Sequence, residues 1–231
     1  MNDITYSKSY VTLPQTKVQT FILLKTVSQY ETQKMENQTK WSIDQAHSDI
    51  TFKVRHLMIA HIKGEFKTFD ASIYTIGKDF TTAEVNVRVE ASSVTTGDTQ
   101  RDDHLKALDF FDVENHKHIT FSSTSIGKAD AEGKHELLGE LNMIGVTKNI
   151  KLNVEFGGIV KDPWGNERAG FTVTGKINRA DWGLIWNAPM DAGGFMVSDE
   201  VSILCDIEMT NVGSKDLTIE LDVAANDKTF L

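Results

Sequence analysis

Between residues 100 and 121 the chain reads QRDDHLKALDFFDVENHKHITF. His104 beside Asp102 and Asp103 has the makings of a general base with a carboxylate partner, and His116 with His118 could offer two metal ligands. Capping explains the carboxylates equally well: Thr99 would cap a short helix with Asp102 at its third position, where negative charge suits the positive helix start. Leu105, Leu108 and Phe111 then recur at spacing three as one apolar stripe, so the segment reads as a plug or lid, with Phe110 and Phe111 closing apolar space. A second cluster, NRADWGLIWNAP at 178–189, sets Arg179 and Asp181 beside two tryptophans. The two charged residues read as an ion pair bracketing a turn, although an Arg fork also suits a phosphate or carboxylate head group, and Arg101 carries the same ambiguity. Trp182 and Trp186 are four apart and would share one face of a helical turn. No Gly-rich phosphate loop, nucleophile elbow or His-Glu-x-x-His motif occurs.

The elements that must hold these residues are strands. Ile50, Phe52, Val54, His56 and Met58 alternate with Thr51, Lys53, Arg55 and Leu57, and Ala83, Val85, Val87, Val89 and Ala91 with polar neighbours. The same period of two recurs through Ile150, Leu152, Val154 and Phe156, and through Val201, Ile203, Cys205, Ile207 and Met209. This predicts antiparallel strands with one apolar face, near 49–58, 62–76, 82–91, 118–128, 135–144, 147–161, 166–178 and 196–210. Parity slips between Phe66 and Phe69, which predicts a bulge in a long bent strand. Closing eight such strands on themselves removes exposed edges, so the expected fold is an all-β, eight-stranded antiparallel up-and-down barrel with one or two short helices, the alternative being a two-sheet sandwich. At ~3.3 Å per residue the segment 197–209 spans roughly 40 Å, or about 30 Å along a barrel axis at a strand tilt of ~40°. Such a barrel is deep enough for a long thin ligand.

With 231 residues and 40% apolar content the chain can bury a substantial core. A net charge of −9 argues against an electrostatically driven binder of nucleic acid or anionic membrane. One cysteine, Cys205, allows neither an intramolecular disulfide nor a cysteine metal cluster. Residues 1–40 are rich in Thr, Gln, Lys, Ser and Asn and read as a weakly ordered extension, with Met35 as an alternative start. They lack the apolar run of a secretory signal, and no run approaches a spanning helix, so a soluble cytoplasmic protein without stable membrane insertion is expected. Residues 41–211 form the expected barrel domain, and 212–231 a tail or an extra strand built on DLTIELDV.

Five motifs in order, WSIDQAHSDITFKVRHLMI at 41–59, RDDHLKALDFFDVENHKHITFSST at 101–124, GELNMIGVTKNIKLNVEF at 139–156, DPWGNERAGFTVTGKINRADWGLIWN at 162–187 and SDEVSILCDIEM at 198–209, closely resemble the YceI-like family of lipocalin-like isoprenoid-binding proteins. The resemblance implies a lipocalin-like barrel whose apolar tunnel holds a polyisoprenoid or similar amphiphile, such as a prenyl pyrophosphate, a quinone or a fatty amide. Ile144 before Gly-Val-Thr and Lys117 before Ile-Thr-Phe depart from the family pattern near the presumed strand ends.

The expected function is therefore non-enzymatic binding, transport or sequestration of a long-chain lipid, with no cofactor and no metal. A chain of about 16 carbons at ~0.8 kcal/mol per buried CH₂ offers on the order of 13 kcal/mol before association costs, so binding needs no chemistry. Chain contact is expected from Phe52, Val54, Phe66, Phe110, Phe111, Leu141, Phe156, Phe171, Val173, Trp182, Trp186 and Val201, and polar contact from His56, Arg101 and Arg179. His56 shares the inward parity of Phe52 and Val54, where a buried imidazole needs a partner. The rivals are an enzyme working through His56, His104 and Asp102, and a filled structural barrel, possibly a homodimer formed through a strand edge or the N-terminal extension.

Overall fold

Alternating apolar and polar residues give eleven strands, in a computed structural model that describes residues 38–189 and 195–214. They are β1 (Gln38–Ile43), β2 (Asp49–His56), β3 (Ala60–Phe66), β4 (Phe69–Ile76), β5 (Asp79–Glu90), β6 (Val94–Thr95), β7 (His118–Ile126), β8 (Lys134–Met143), β9 (Val146–Lys161), β10 (Glu167–Asn178) and β11 (Val197–Ser214). Among the described residues one α-helix, α1 (Thr99–Lys106), joins three short 3-10 turns. Every pairing is antiparallel, and β1 pairs with both β4 and β11, which closes the sheet. The sheet is a closed eight-stranded barrel because three of its staves are broken strands.

The first stave is β1 with β2, both paired to successive parts of β11: Ile43 faces Met209 and Ile50 faces Cys205. Between them the turn Gln45–His47 is capped by Asp44, whose carboxylate accepts from the Ala46 amide at 3.0 Å. Arg168 holds this kink from outside, bonding Asp44, Glu208 at 2.9 Å and Asp162 at 3.1 Å. The second stave, β3 with β4, breaks at 67–68, where the parity slip lies, so that both Phe66 and Phe69 face inward and are buried. The third is β5 with β6, interrupted by the turn Ala91–Ser93.

Strand β1 begins at Gln38, ahead of the Trp41 start expected from sequence, and β11 runs to Ser214, past Asn211. The expectations for residues 1–37, Met35 included, and for the tail from 215 onward with DLTIELDV fall outside the described residues. No helix among the described residues is long and apolar enough to cross a membrane.

The buried residues of the interior fall into two clusters. The larger, with Phe66, Val89, Phe121, Leu141 and Val154, lines the barrel's middle and the end that carries α1. The smaller, Trp41, Ile73, Ala169 and Met209, occupies the opposite end, where β4 turns into β5. Trp41 is locked there by Nε1–H donating to Thr75 Oγ1 at 3.0 Å, and that hydroxyl donates on to the Gly77 carbonyl at 2.6 Å. A bulge in β9 feeds this cluster. Gly158, at φ 109, shifts the register so that Phe156 faces Phe171 while Gly158 faces Gly170, and Ile159 turns inward.

Candidate functional site

Between the α1 end and the smaller cluster lies a cavity of about 680 Å³ with a predominantly apolar wall. Every stave contributes inward residues, among them Phe52 and Val54 from β2, Phe66 from β3, Val85 and Val87 from β5, Leu141 from β8, Phe171 and Val173 from β10, and Val201 and Ile203 from β11. Phe52 can lie across the wall because its partner on β3 is Gly64, where a Cβ would come within 2.2 Å of the ring. The floor is aromatic. Phe80 lies 5.1 Å from Trp41, 5.2 Å from Phe156 and 4.9 Å from Phe171, ring centre to ring centre.

The mouth is built by α1 and the loops beside it. Thr99 does not cap the helix: Asp98 does, accepting from the Arg101 amide at 3.0 Å. Asp102 is consequently free for a different task, and it is buried. Its oxygens accept from Thr95 Oγ1 at 2.8 Å, the Thr96 amide at 2.7 Å and Thr96 Oγ1 at 2.6 Å. Burial opposes ionisation of Asp102, yet the Thr96 and Thr95 hydrogen bonds outweigh it and hold the carboxyl below its usual range. Arg101 grips the same loop, through Nε to Thr96 Oγ1 at 2.7 Å and a terminal nitrogen to the Thr96 carbonyl at 3.2 Å.

The expected apolar stripe is also corrected. The helix stops at Lys106, so Leu105 and Phe111 pack on the core while Leu108 is exposed. Phe111 meets Phe66 edge-on at 5.7 Å. Above it, His104, Phe110 and Trp186 form a mutually contacting trio, with His104 4.7 Å from Trp186 and 5.1 Å from Phe110. His104 Nε2 lies 3.3 Å from Asp109, not against Asp102.

The tryptophan pair parts company for a local reason. The turn Arg179–Trp182 ends at Gly183 in the left-handed region, φ 85, so no helix carries on to put Trp186 under Trp182. Trp182 is buried and donates Nε1–H to the Leu141 carbonyl at 3.1 Å, in the wall rather than on the cavity surface. Arg179 pairs with Asp199 at 3.1 Å instead of Asp181, and also donates to the carbonyls of Leu184, of Trp186 at 2.9 Å and of Ser198 at 3.1 Å. Its guanidinium ties the 179–198 connection together, with burial lowering its pKa and Asp199 opposing that.

Of the residues expected at the site, Phe52, Val54, His56, Phe66, Arg101, Phe110, Phe111, Leu141, Phe171, Val173, Arg179, Trp186 and Val201 line this one cavity. Phe156 and Trp182 do not: Phe156 stacks behind Phe171 at 5.3 Å, next to the floor. Phe80 is a floor residue that sequence reasoning missed. Position 80 is even in a strand whose inward residues, Ala83 to Val89, are odd, and its one signal is an aromatic ring beside a hairpin.

The remaining reactive groups are occupied or distant. Burial pushes the Cys205 thiol up to about 11, so at neutral pH it is a protonated wall residue. His118 sits 2.5 Å from Arg88, and His116 lies 3.9 Å from Asp112, so these two histidines do not converge. Among the described residues, Asp44, His47 and Glu208 are near enough to share a metal ion, but Arg168 already neutralises two of them on the outer face of the barrel.

Comparison with known proteins places this architecture. The YceI-like domain matches residues 41–209. A UPF0312 protein of Staphylococcus epidermidis is 35% identical over 173 residues, which is 74% of this chain and 98% of that protein. Among solved structures, the YCEI protein of Campylobacter jejuni is 32% identical with a TM-score of 0.59, over 73% of this chain and 95% of that one. A polyisoprenoid binding domain from Saccharophagus degradans shares the fold at 15% identity and a TM-score of 0.53, over 74% and 98% of the two chains. A closed barrel with its helix at one end, matched over nearly its whole length, makes this chain a member of the YceI-like family.

Proposed function

We propose that the protein binds one long-chain isoprenoid or similar amphiphile and carries or sequesters it, without catalysis, in the cytoplasm. The observation that carries this reading is the cavity of about 680 Å³, apolar on every stave and stopped at one end by Phe80. A cavity of this kind offers water too few hydrogen-bond partners and takes an apolar guest instead. Its volume falls in the range of small-molecule sites, and its polar groups gather at one end, as an amphiphile requires. The chain would run from the mouth toward Phe80, past Val54, Val173 and Val201. The head group would stay near His56, Arg101 and His104, the first of which makes no side-chain hydrogen bond among the described residues. The Saccharophagus degradans neighbour, named for polyisoprenoid binding, supports the same ligand class.

The enzymatic rival loses its acid–base pair, because Asp102 spends its oxygens on Thr95 and Thr96. Binding needs one barrel per ligand and no second copy. The test is uptake by delipidated protein from a panel of polyprenyl alcohols, quinones and fatty amides. Saturable one-to-one uptake of at least one class without turnover is expected; conversion of the ligand, or no uptake from the panel, would contradict the reading.

A further inference from the structure

We propose that the β2–β3 hairpin is a docking element for an anionic lipid bilayer, and that it sets the cavity mouth against the leaflet. The hairpin closes through the three residues Leu57–Ile59, within which the Ile59 amide donates to the His56 carbonyl at 3.2 Å, a β-turn centred on Leu57 and Met58. Both turn residues are left-handed, Leu57 at φ 50 and Met58 at φ 60. Such turns are normally made by Asn-Gly or Asp-Gly, because a side chain is unfavourable in that region. Here the strained positions carry large apolar side chains pointing into solvent: Leu57 is 37% exposed, Met58 50% and the following Ile59 86%.

The strands below the tip are basic. From Ile50 to Gly64 there is no acidic residue, while Lys53, Arg55, His56, His61 and Lys63 all fall within that stretch, in a chain of net charge −9. The register sets Lys53 directly across from Lys63 and Arg55 across from His61. All four are exposed. Lys53 and Lys63, like charges facing each other across the ladder, repel and weaken the pairing. No carboxylate forms an ion pair with Lys53, Arg55 or Lys63 among the described residues.

An apolar tip on an uncompensated basic stem matches a bilayer interface, where anionic head groups lie above an acyl layer. Three tip side chains are too small an area for a stable protein interface, which needs roughly 800 Å² on each partner. The tip also stands at the right place. His56, at the top of β2, lines the cavity, and the Leu57 amide donates to the Met196 carbonyl at 2.8 Å, tying the tip to the strand leading from exposed Phe195. The excess of negative charge elsewhere keeps the contact weak and salt-sensitive, as reversible loading requires. The lipid-carrier reading gives this docking its purpose, but the test of docking does not depend on it.

The full chain is sedimented with vesicles of phosphatidylcholine alone or mixed with phosphatidylglycerol. One variant replaces the tip with turn-forming residues, Leu57→Asn, Met58→Gly and Ile59→Thr, which relieves the strain and favours folding. A second carries Lys53→Gln, Arg55→Gln and Lys63→Gln. The expected result is preferential binding of the unmodified protein to the phosphatidylglycerol vesicles, weakened by salt, and a loss of at least about tenfold in each variant. No binding to either vesicle, or a tip variant that binds as well as the unmodified protein, would overturn the proposal. Uptake of a short prenyl alcohol in the absence of vesicles is measured in parallel. Failure there with vesicle binding intact would count against the carrier reading and leave docking standing.

Discussion

At the end of the barrel where β4 turns into β5, Trp41, Ala169 and Met209 expose no surface, whereas toward α1 the inward-facing Phe52, Val54, Val173 and Val201 remain only half-buried. The same strands supply both regions: β10 contributes Ala169 to one and Val173 to the other, β11 Met209 and Val201. Strand alternation therefore fixes which side chains point inward but not whether they meet. They meet where the barrel receives bulk from outside the regular pattern, from Trp41 on the kinked β1, Phe80 out of phase on β5 and Ile159 after the β9 bulge. They stay apart toward α1, where short β-branched residues such as Val54, Val173 and Val201 line the wall. One end is packed shut, and the other keeps room inside a buried wall.

Removing the anchor of the packed end should have the largest effect on stability. Trp41→Ala loses a fully buried ring and its hydrogen bond to Thr75, and is expected to cost about 3–5 kcal/mol in chemical denaturation. A loss under about 1 kcal/mol would mean that Trp41 does not anchor the packed end.

Phe80→Ala sits on the boundary and should cost less, about 3 kcal/mol, because the ring is only partly buried. Its distinctive consequence is in selectivity: the longest prenyl or acyl chain taken up should increase relative to the unmodified protein. An unchanged chain-length profile would remove Phe80 as the floor.

In the hollow region the same kind of insult should be nearly silent in stability. Val173→Trp adds bulk where there is space, so the unfolding free energy should change by less than about 1 kcal/mol, whereas overpacking a filled core costs about 1–3 kcal/mol. Ligand uptake should fall by more than about tenfold, a 1.4 kcal/mol loss. A large destabilisation would show that the interior there is already filled.

The smallest effect concerns the turn that supports the packed end. Asp162 accepts from the Asn166 side chain at 3.0 Å, from the Asn166 and Trp164 amides, and from Arg168 at 3.1 Å. These contacts, the Asn166 side chain first, lower its pKa from 3.8 to about 2. The ionised form is the one favoured by folding, so its contribution is complete above about pH 4 and is lost as pH falls toward 2. Asp162→Asn should flatten the acid dependence of stability in that window. An unchanged slope would exclude Asp162 as its source.

Much of this fold was legible in the sequence because alternation is a direct record of which face is buried, and eight alternating segments with short connections leave few topologies. Even the break between Phe66 and Phe69 showed as a slip of parity. The site was legible where its residues sit on regular strands, as Phe52, Val54, Val173 and Val201 do. It was obscure where a cap or turn redirected the chain. Asp98 took the cap expected of Thr99, which freed Asp102 to hold the Thr95–Thr96 loop. Left-handed Gly183 separated Trp182 from Trp186, and Arg179 found Asp199 across the connection rather than Asp181 beside it. Such choices depend on hydrogen bonds between distant segments, which spacing along the chain does not encode.

We propose that the hollow half of the barrel holds a single long apolar chain. Native mass spectrometry of freshly purified protein, followed by organic extraction of what is released, tests it most directly. The expected result is a one-to-one complex that yields a prenyl or acyl compound on extraction and is lost in Val173→Trp. A protein that is unliganded as isolated and takes up no polyprenyl, quinone or fatty-amide probe would contradict it.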